Sequence, residues 1–213
     1  MNLLSNTVVG ILGTVHTEDL RSKFHYSLEK LEEKILEFNP DIICGEIRPE
    51  DWEKHITTTD YTGYLGPNEY RQSIIPLCER NQIKFVPVDW FEWDIVNLDH
   101  FEAYPKEEQM QLHTELTNMY NEIFLKVNEG NTPFNSLEVD QLVKEKHDWL
   151  FKVNADVQNL TWQARNQLMI IRINNVIKAN RNKRILCTVG MEHNYYYYSE
   201  LQKTKGIQLC YPL

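Results

Sequence analysis

The chain predicts an α/β fold: a central, largely parallel β-sheet flanked by helices, with a helical insertion before the last strands. Two observations predict it. Short apolar runs rich in β-branched residues alternate with stretches whose apolar residues recur every three or four positions, the alternation that covers a parallel sheet with helices on both faces. The length, 213 residues with 42% apolar content, suffices to bury one good core. One α/β domain over residues 1–213 follows, with residues 98–180 as a mostly helical insertion and return helix.

The elements follow in order. Val8 to Gly13 is apolar and β-branched, bounded by Asn6 and a polar stretch from His16 to Asp19, which predicts a buried strand. Phe24, Leu28, Leu31, Ile35 and Phe38 then fall on one face of an amphipathic helix that Pro40 ends. A second strand, "DIIC" at 41–44, stops at Gly45 and Glu46. After a more polar region with Gly63, Gly66 and Pro67, a helix is expected from Asn68 to Asn81, and "IKFVPVDWFEWD" supplies a third strand ending near Asp89. From about Leu98 to Asn180 the pattern is helical, broken by "NEGNTP" at 128–133. A fourth strand runs from Arg184 to Val189, and a tyrosine-rich helix and a last short strand, "IQLCYP", close the chain.

Composition excludes several functions. Against 31 acidic residues stand 22 basic ones, a net charge of −9, and the basic residues form no stripe interleaved with aromatics, so nucleic acid is not the expected partner. Cys44, Cys78, Cys187 and Cys210 lie far apart without a CxxC pair, as reduced, buried thiols of a cytoplasmic protein do. The first apolar run is too short and lacks the basic leader of a signal peptide, and no stretch approaches the ~20 apolar residues that cross a bilayer, so no membrane partner is expected.

The polar residues that follow the strands form a pattern. The first strand ends at His16, the second at Glu46, the third at Asp89 and the fourth at His193. In open parallel sheets ligands bind at the carboxyl ends of the strands, so these four converge on one crevice. His16 and His193 share a local form, Gly13-Thr-Val-His16 and Gly190-Met-Glu-His193, in which the glycine allows a turn and a close backbone approach. Two imidazoles with one or two carboxylates suit Mn, Fe, Co or Zn.

In that order along the chain, "GILGTVHTED", "PDIICGEIR", "VPVDW", "ARNQLM" and "VGMEHN" resemble the landmarks of the TraB/PrgY/GumN and Tiki group, within the wider superfamily that includes erythromycin esterases and the ChaN haem-binding proteins. The resemblance spans Val8 to about His193. The pattern of that group is two GxxH motifs, a glutamate closing the second strand and an arginine in an RN pair on the helix before the last GxxH. It implies that His16, Glu46, Arg165 and His193 are catalytic, with Asn166 and Asp89 supporting them. It also implies hydrolysis of an amide, peptide or ester bond: Tiki members are described as metal-dependent proteases, and erythromycin esterases as hydrolases that use a histidine-activated water. Two positions depart from the pattern. Arg48 lies only two residues after Glu46 and Pro49 follows it, so Arg48 takes no role; Glu192 stands where small residues are usual, as an added carboxylate or a solvent-facing one.

Two mechanisms follow. In one, His16, Glu46 and His193 bind a divalent metal and leave a position for water, Asp89 or Glu46 accepts the proton and Arg165 stabilises the oxyanion. In the other, without metal, His16 is the general base, oriented by Glu46. The expected partner is a small-molecule or peptide substrate. A binding module for a small anionic ligand or haem is the competing class, with Trp90, Phe91, Trp93 and Trp162 either lining a haem slot or forming core, and a helical interaction platform over 98–180 is the third. Tyr195 to Tyr198 suit a packing or homodimer surface. His25, His55, His100, His113 and His147 are expected to be solvated or locally paired, with His55 the one placed to pass over the crevice.

Overall fold

The computed structural model describes residues 7–213. Five strands form one all-parallel sheet in the order β3-β2-β4-β1-β5, with β1 Thr7–Thr14, β2 Ile42–Gly45, β3 Lys84–Pro87, β4 Arg184–Gly190 and β5 Ile207–Cys210. The predicted α/β class and the insertion before the last strands are both present. The register sets the period of two into the core. Val9, Ile11, Cys44, Ile185, Cys187 and Val189 face one side of the sheet, and Leu12, Ile43 and Leu186 the other.

The first helical stretch is split. Helix α1 spans Glu18–Lys23 and α2 spans Leu28–Phe38, because the backbone turns through a left-handed conformation at His25. Phe24 therefore sits in the turn, not on the helix that its spacing predicts, yet remains buried. Ser27 caps α2 by accepting from the Lys30 amide, and Asn39, in the left-handed region, ends it ahead of Pro40. The polar region after Glu46 contains a helix missing from the sequence reading, α3 Pro49–Thr57, with Pro49 at its first position, where the absent N–H costs nothing. Residues 68–81 are helical as expected: a π-helical turn, Tyr70–Ile74, leads into α4 Ile75–Asn81.

The insertion consists of α5 Lys106–Lys126 and α6 Leu137–Val153, which pack against one another. It returns through α7 Ala155–Gln158, a second π-helical turn Asn159–Gln163, and α8 Ala164–Ala179. After β4 a short 3-10 turn, Met191–His193, enters α9 Asn194–Leu201. α2, α4 and α5 cover one face of the sheet, and α8 and α9 the other. Tyr197 is buried in the second core and Tyr195 accepts a hydrogen bond from Trp162 Nε1 at 3.0 Å, so these two tyrosines pack inward. Cys44 and Cys187 are register partners on neighbouring strands, buried and unbridged. Among the described residues no helix is long and apolar enough to cross a membrane.

Candidate active site

A cavity of about 500 Å³ opens at the carboxyl ends of the strands, and His16, Glu46, Arg165 and His193 all face it. Each is held by a different element. His16 follows β1 and is fixed by a residue the sequence did not single out: the fully buried Glu69, just ahead of the first π-helical turn, accepts a hydrogen bond from His16 Nδ1 at 2.7 Å and from the Thr14 hydroxyl at 2.9 Å through the same oxygen. Glu46, expected to orient His16, instead faces the other ring nitrogen, Nε2, at 3.6 Å, beyond hydrogen-bond length. Burial pulls the imidazole down, but the Glu69 hydrogen bond and the charges of Glu46 and Glu69 outweigh it and raise His16 to about 9. At neutral pH it holds its proton, which suits donation and not the base role expected of it.

Glu46 sits at the centre. Its backbone amide donates to the Tyr70 hydroxyl at 2.8 Å, which donates on to the Thr188 carbonyl at 2.7 Å, tying β2 to the first π-helical turn and to β4. One carboxylate oxygen accepts from Arg165 Nη2 at 2.6 Å, and the other from the Gly190 amide at 2.7 Å. Burial opposes its charge, but the positive charges of Arg165 and then His16 hold the carboxyl well below the usual carboxylate range. Glycine at 190 leaves the His16 imidazole its place: a Cβ there would lie 2.5 Å from His16 Nε2.

Asp89, fully buried after β3, clamps Arg165 through Nε at 2.8 Å and Nη2 at 2.9 Å, a bidentate pair that fixes the guanidinium plane. Arg165 Nη1 has no hydrogen-bond partner among the described residues. Asn166 donates through Nδ2 to the Trp162 carbonyl at 2.9 Å, so its Oδ1 faces His193 Nδ1 at 2.7 Å. That pairing leaves the lone pair of the neutral His193 ring on Nε2, which faces Glu46 at 3.5 Å. Asp89 and Asn166 thus stand behind Arg165 and His193.

One expectation about the histidines does not hold. His55 packs at a tilt against Trp52 and lines a separate cavity beside α3 and α4, away from the crevice. His147 is paired, with Gln158 at 2.9 Å and Glu192 at 3.2 Å, and is buried. Its ring stacks on Trp162 at 3.7 Å, and Trp162 stacks on His193 at 4.2 Å. Burial, then the charge of Lys146, lowers His147 to about 4, so it stays neutral in that stack. Of the two roles considered for it, Glu192 takes that of an added carboxylate: it lines the cavity. It bonds Lys146 at 2.5 Å, His147 at 3.2 Å and the Tyr120 hydroxyl at 2.9 Å, pinning α5 and α6 to the turn that delivers His193. No sequence feature distinguishes Glu69, Lys146 or His147 from ordinary helix residues. Phe91, Trp93 and Trp162 line the cavity; Trp90 does not.

The arrangement does not fit a divalent ion. Both Glu46 oxygens are committed to Arg165 and the Gly190 amide, and the permanent positive charge of Arg165 occupies the place beside the carboxylate that a cation would need. Among the described residues no group of three His, Cys, Asp or Glu side chains is arranged to hold a metal. Comparison with known proteins gives no match: no family model, no curated protein and no solved structure matches the chain.

Proposed function

We propose that the chain is a hydrolase that cleaves an ester or amide bond with water and without a resident metal. The observation that carries this reading is a pair of differently prepared imidazoles facing one carboxylate. Glu69 keeps a proton on His16, while Asn166 leaves a lone pair on His193 Nε2. His193 Nε2 takes a proton as the water oxygen attacks the carbonyl carbon, and Glu46 stabilises the imidazolium that forms. Arg165 Nη1 and the His16 Nε2 proton stabilise the oxyanion. Collapse of the tetrahedral intermediate breaks the C–O or C–N bond. The proton held by His193 passes to the leaving group, releasing an acid and an alcohol or amine. The resemblance to the TraB and Tiki group supports hydrolysis, and unbridged cysteines suit a cytoplasmic location.

The test is turnover of a panel of nitrophenyl esters and peptide anilides in the presence of chelator. His16→Ala and His193→Ala are expected to lower kcat/KM by on the order of 100- to 10,000-fold each. Turnover that chelator abolishes and added Mn, Fe, Co or Zn restores overturns the metal-free mechanism. A protein that binds a small anion or haem tightly and turns over nothing is a binding module instead.

A further inference from the structure

We infer that the substrate is a neutral ester or amide with an apolar group on each side of the bond that breaks, an inference that rests on the hydrolase reading above. Two features of the cavity lead to it. The charged side chains that face the cavity among the described residues already have opposite charges: His16 has Glu69, Glu46 has Arg165, Arg165 has Asp89 as well, and Glu192 has Lys146. No charged partner is left over to recognise a charged substrate, and an added charge would have to be desolvated without compensation.

The walls are largely apolar, and two groups of side chains in them stand apart. Tyr64, Phe91 and Trp93 meet edge to face at 4.9–5.9 Å, with the Arg48 guanidinium against the last two rings. Leu20, Phe124 and Phe134 form the other group, the two phenylalanines joined through Phe24 at 5.4 Å and 5.1 Å. Phe91 and Trp93 follow β3, whereas Leu20 follows β1, and β2 and β4 lie between those strands. The polar floor of Glu46 and His193 is therefore flanked on both sides. A carbonyl over that floor sends its acyl group into one aromatic group and its leaving group into the other.

The experiment compares kcat/KM for benzyl phenylacetate, ethyl phenylacetate, benzyl acetate and ethyl acetate, with monobenzyl succinate as the charged control. In parallel, calorimetry follows binding of 1,4-diphenylbutan-2-one, the ketone analogue of the two-armed ester. Each ring is expected to raise kcat/KM by at least about tenfold, the low end of what a single methylene gives in an apolar pocket. Trp93→Ala and Phe124→Ala are each expected to remove the preference for one arm and keep that for the other. Ester cleavage without a preference for either ring, a preference for the succinate, or equal loss of both preferences in both variants overturns the inference and leaves the hydrolase reading in place. Ketone binding that needs both rings, with no ester or amide cleaved, overturns hydrolysis and retains the two-armed site. Neither binding nor cleavage overturns both.

Discussion

Gly190→Ala separates the chemistry of the site from the stability of the fold. The added Cβ would lie 2.5 Å from His16 Nε2 and 3.1 Å from Cε1. Non-bonded atoms of this size settle at about 3.5 Å, so the imidazole must retreat by about 1 Å. The His16 side chain is 39% exposed, and it retreats toward the cavity, lengthening its bond to Glu69 while the apolar core keeps its packing. A displacement of about 1 Å at a reacting group costs on the order of 100-fold in turnover, about 2.7 kcal/mol at the barrier. The assay is kcat/KM toward an ester, with thermal unfolding of the same preparation. The expected outcome is a loss of about 100-fold with a stability change within about 1 kcal/mol. The glycine of the other GxxH motif is the control. A Cβ on Gly13 would collide with the amide of Asn194, which is fully buried and cannot yield, so Gly13→Ala is expected to cost about 1–3 kcal/mol of stability. Unchanged turnover in Gly190→Ala would refute the placing of His16 at the reacting atoms, and loss of the fold would refute the claim that His16 yields.

Glu69→Gln is expected to bring the His16 imidazole, raised to about 9, down toward its ordinary 6.5, read by its proton resonances across pH. Because the raised value belongs to the folded state, its stabilising contribution is whole below about 6.5 and is lost as pH rises through about 9; the Gln variant should lack that slope. Asp140, buried with only Tyr211 donating to it at 2.9 Å, is raised from 3.8 to about 7 by burial. The folded state therefore holds a proton that the unfolded state releases, and stability falls between those two values by about 4 kcal/mol. Asp140→Asn should flatten that fall in denaturant titrations at pH 4 and pH 8, and an equal fall in both proteins would show the group is not the source. Saturating Mn, Fe, Co or Zn is expected to leave the midpoint of thermal unfolding unchanged. A metal at about 100 times its Kd would instead add about 2.7 kcal/mol, and such a rise, absent in His16→Ala, would reverse the reading of the donor set.

The strand ends were legible because the period of the sequence changes where each strand stops, and the parallel order makes the residues just beyond those stops converge. Arg165 came from the RN pair, not from any strand. What stayed hidden depends on contacts remote in sequence. Glu69 meets His16 only because the π-helical turn at Tyr70 lies beside β1, and His147 reaches the site through Trp162 and Glu192. The split at His25 was hidden for another reason: apolar spacing records which side chains are buried, and Phe24 is buried in a turn as completely as it would be on a helix.

The middle position of β1 sets a schedule for biosynthesis. Thr7–Thr14 is the first of the five strands to be made, yet both of its neighbours in the sheet, β4 and β5, are the last two of the five. At about 5–20 residues per second this apolar strand waits on the order of 10–30 s with both edges open. Unpaired apolar edges are templates for association with other chains, and pairing across so long a loop is slow. A nascent chain that stalls before Arg184 therefore displays "TVVGILGT" unpaired, and that segment is the one a chaperone would be expected to hold.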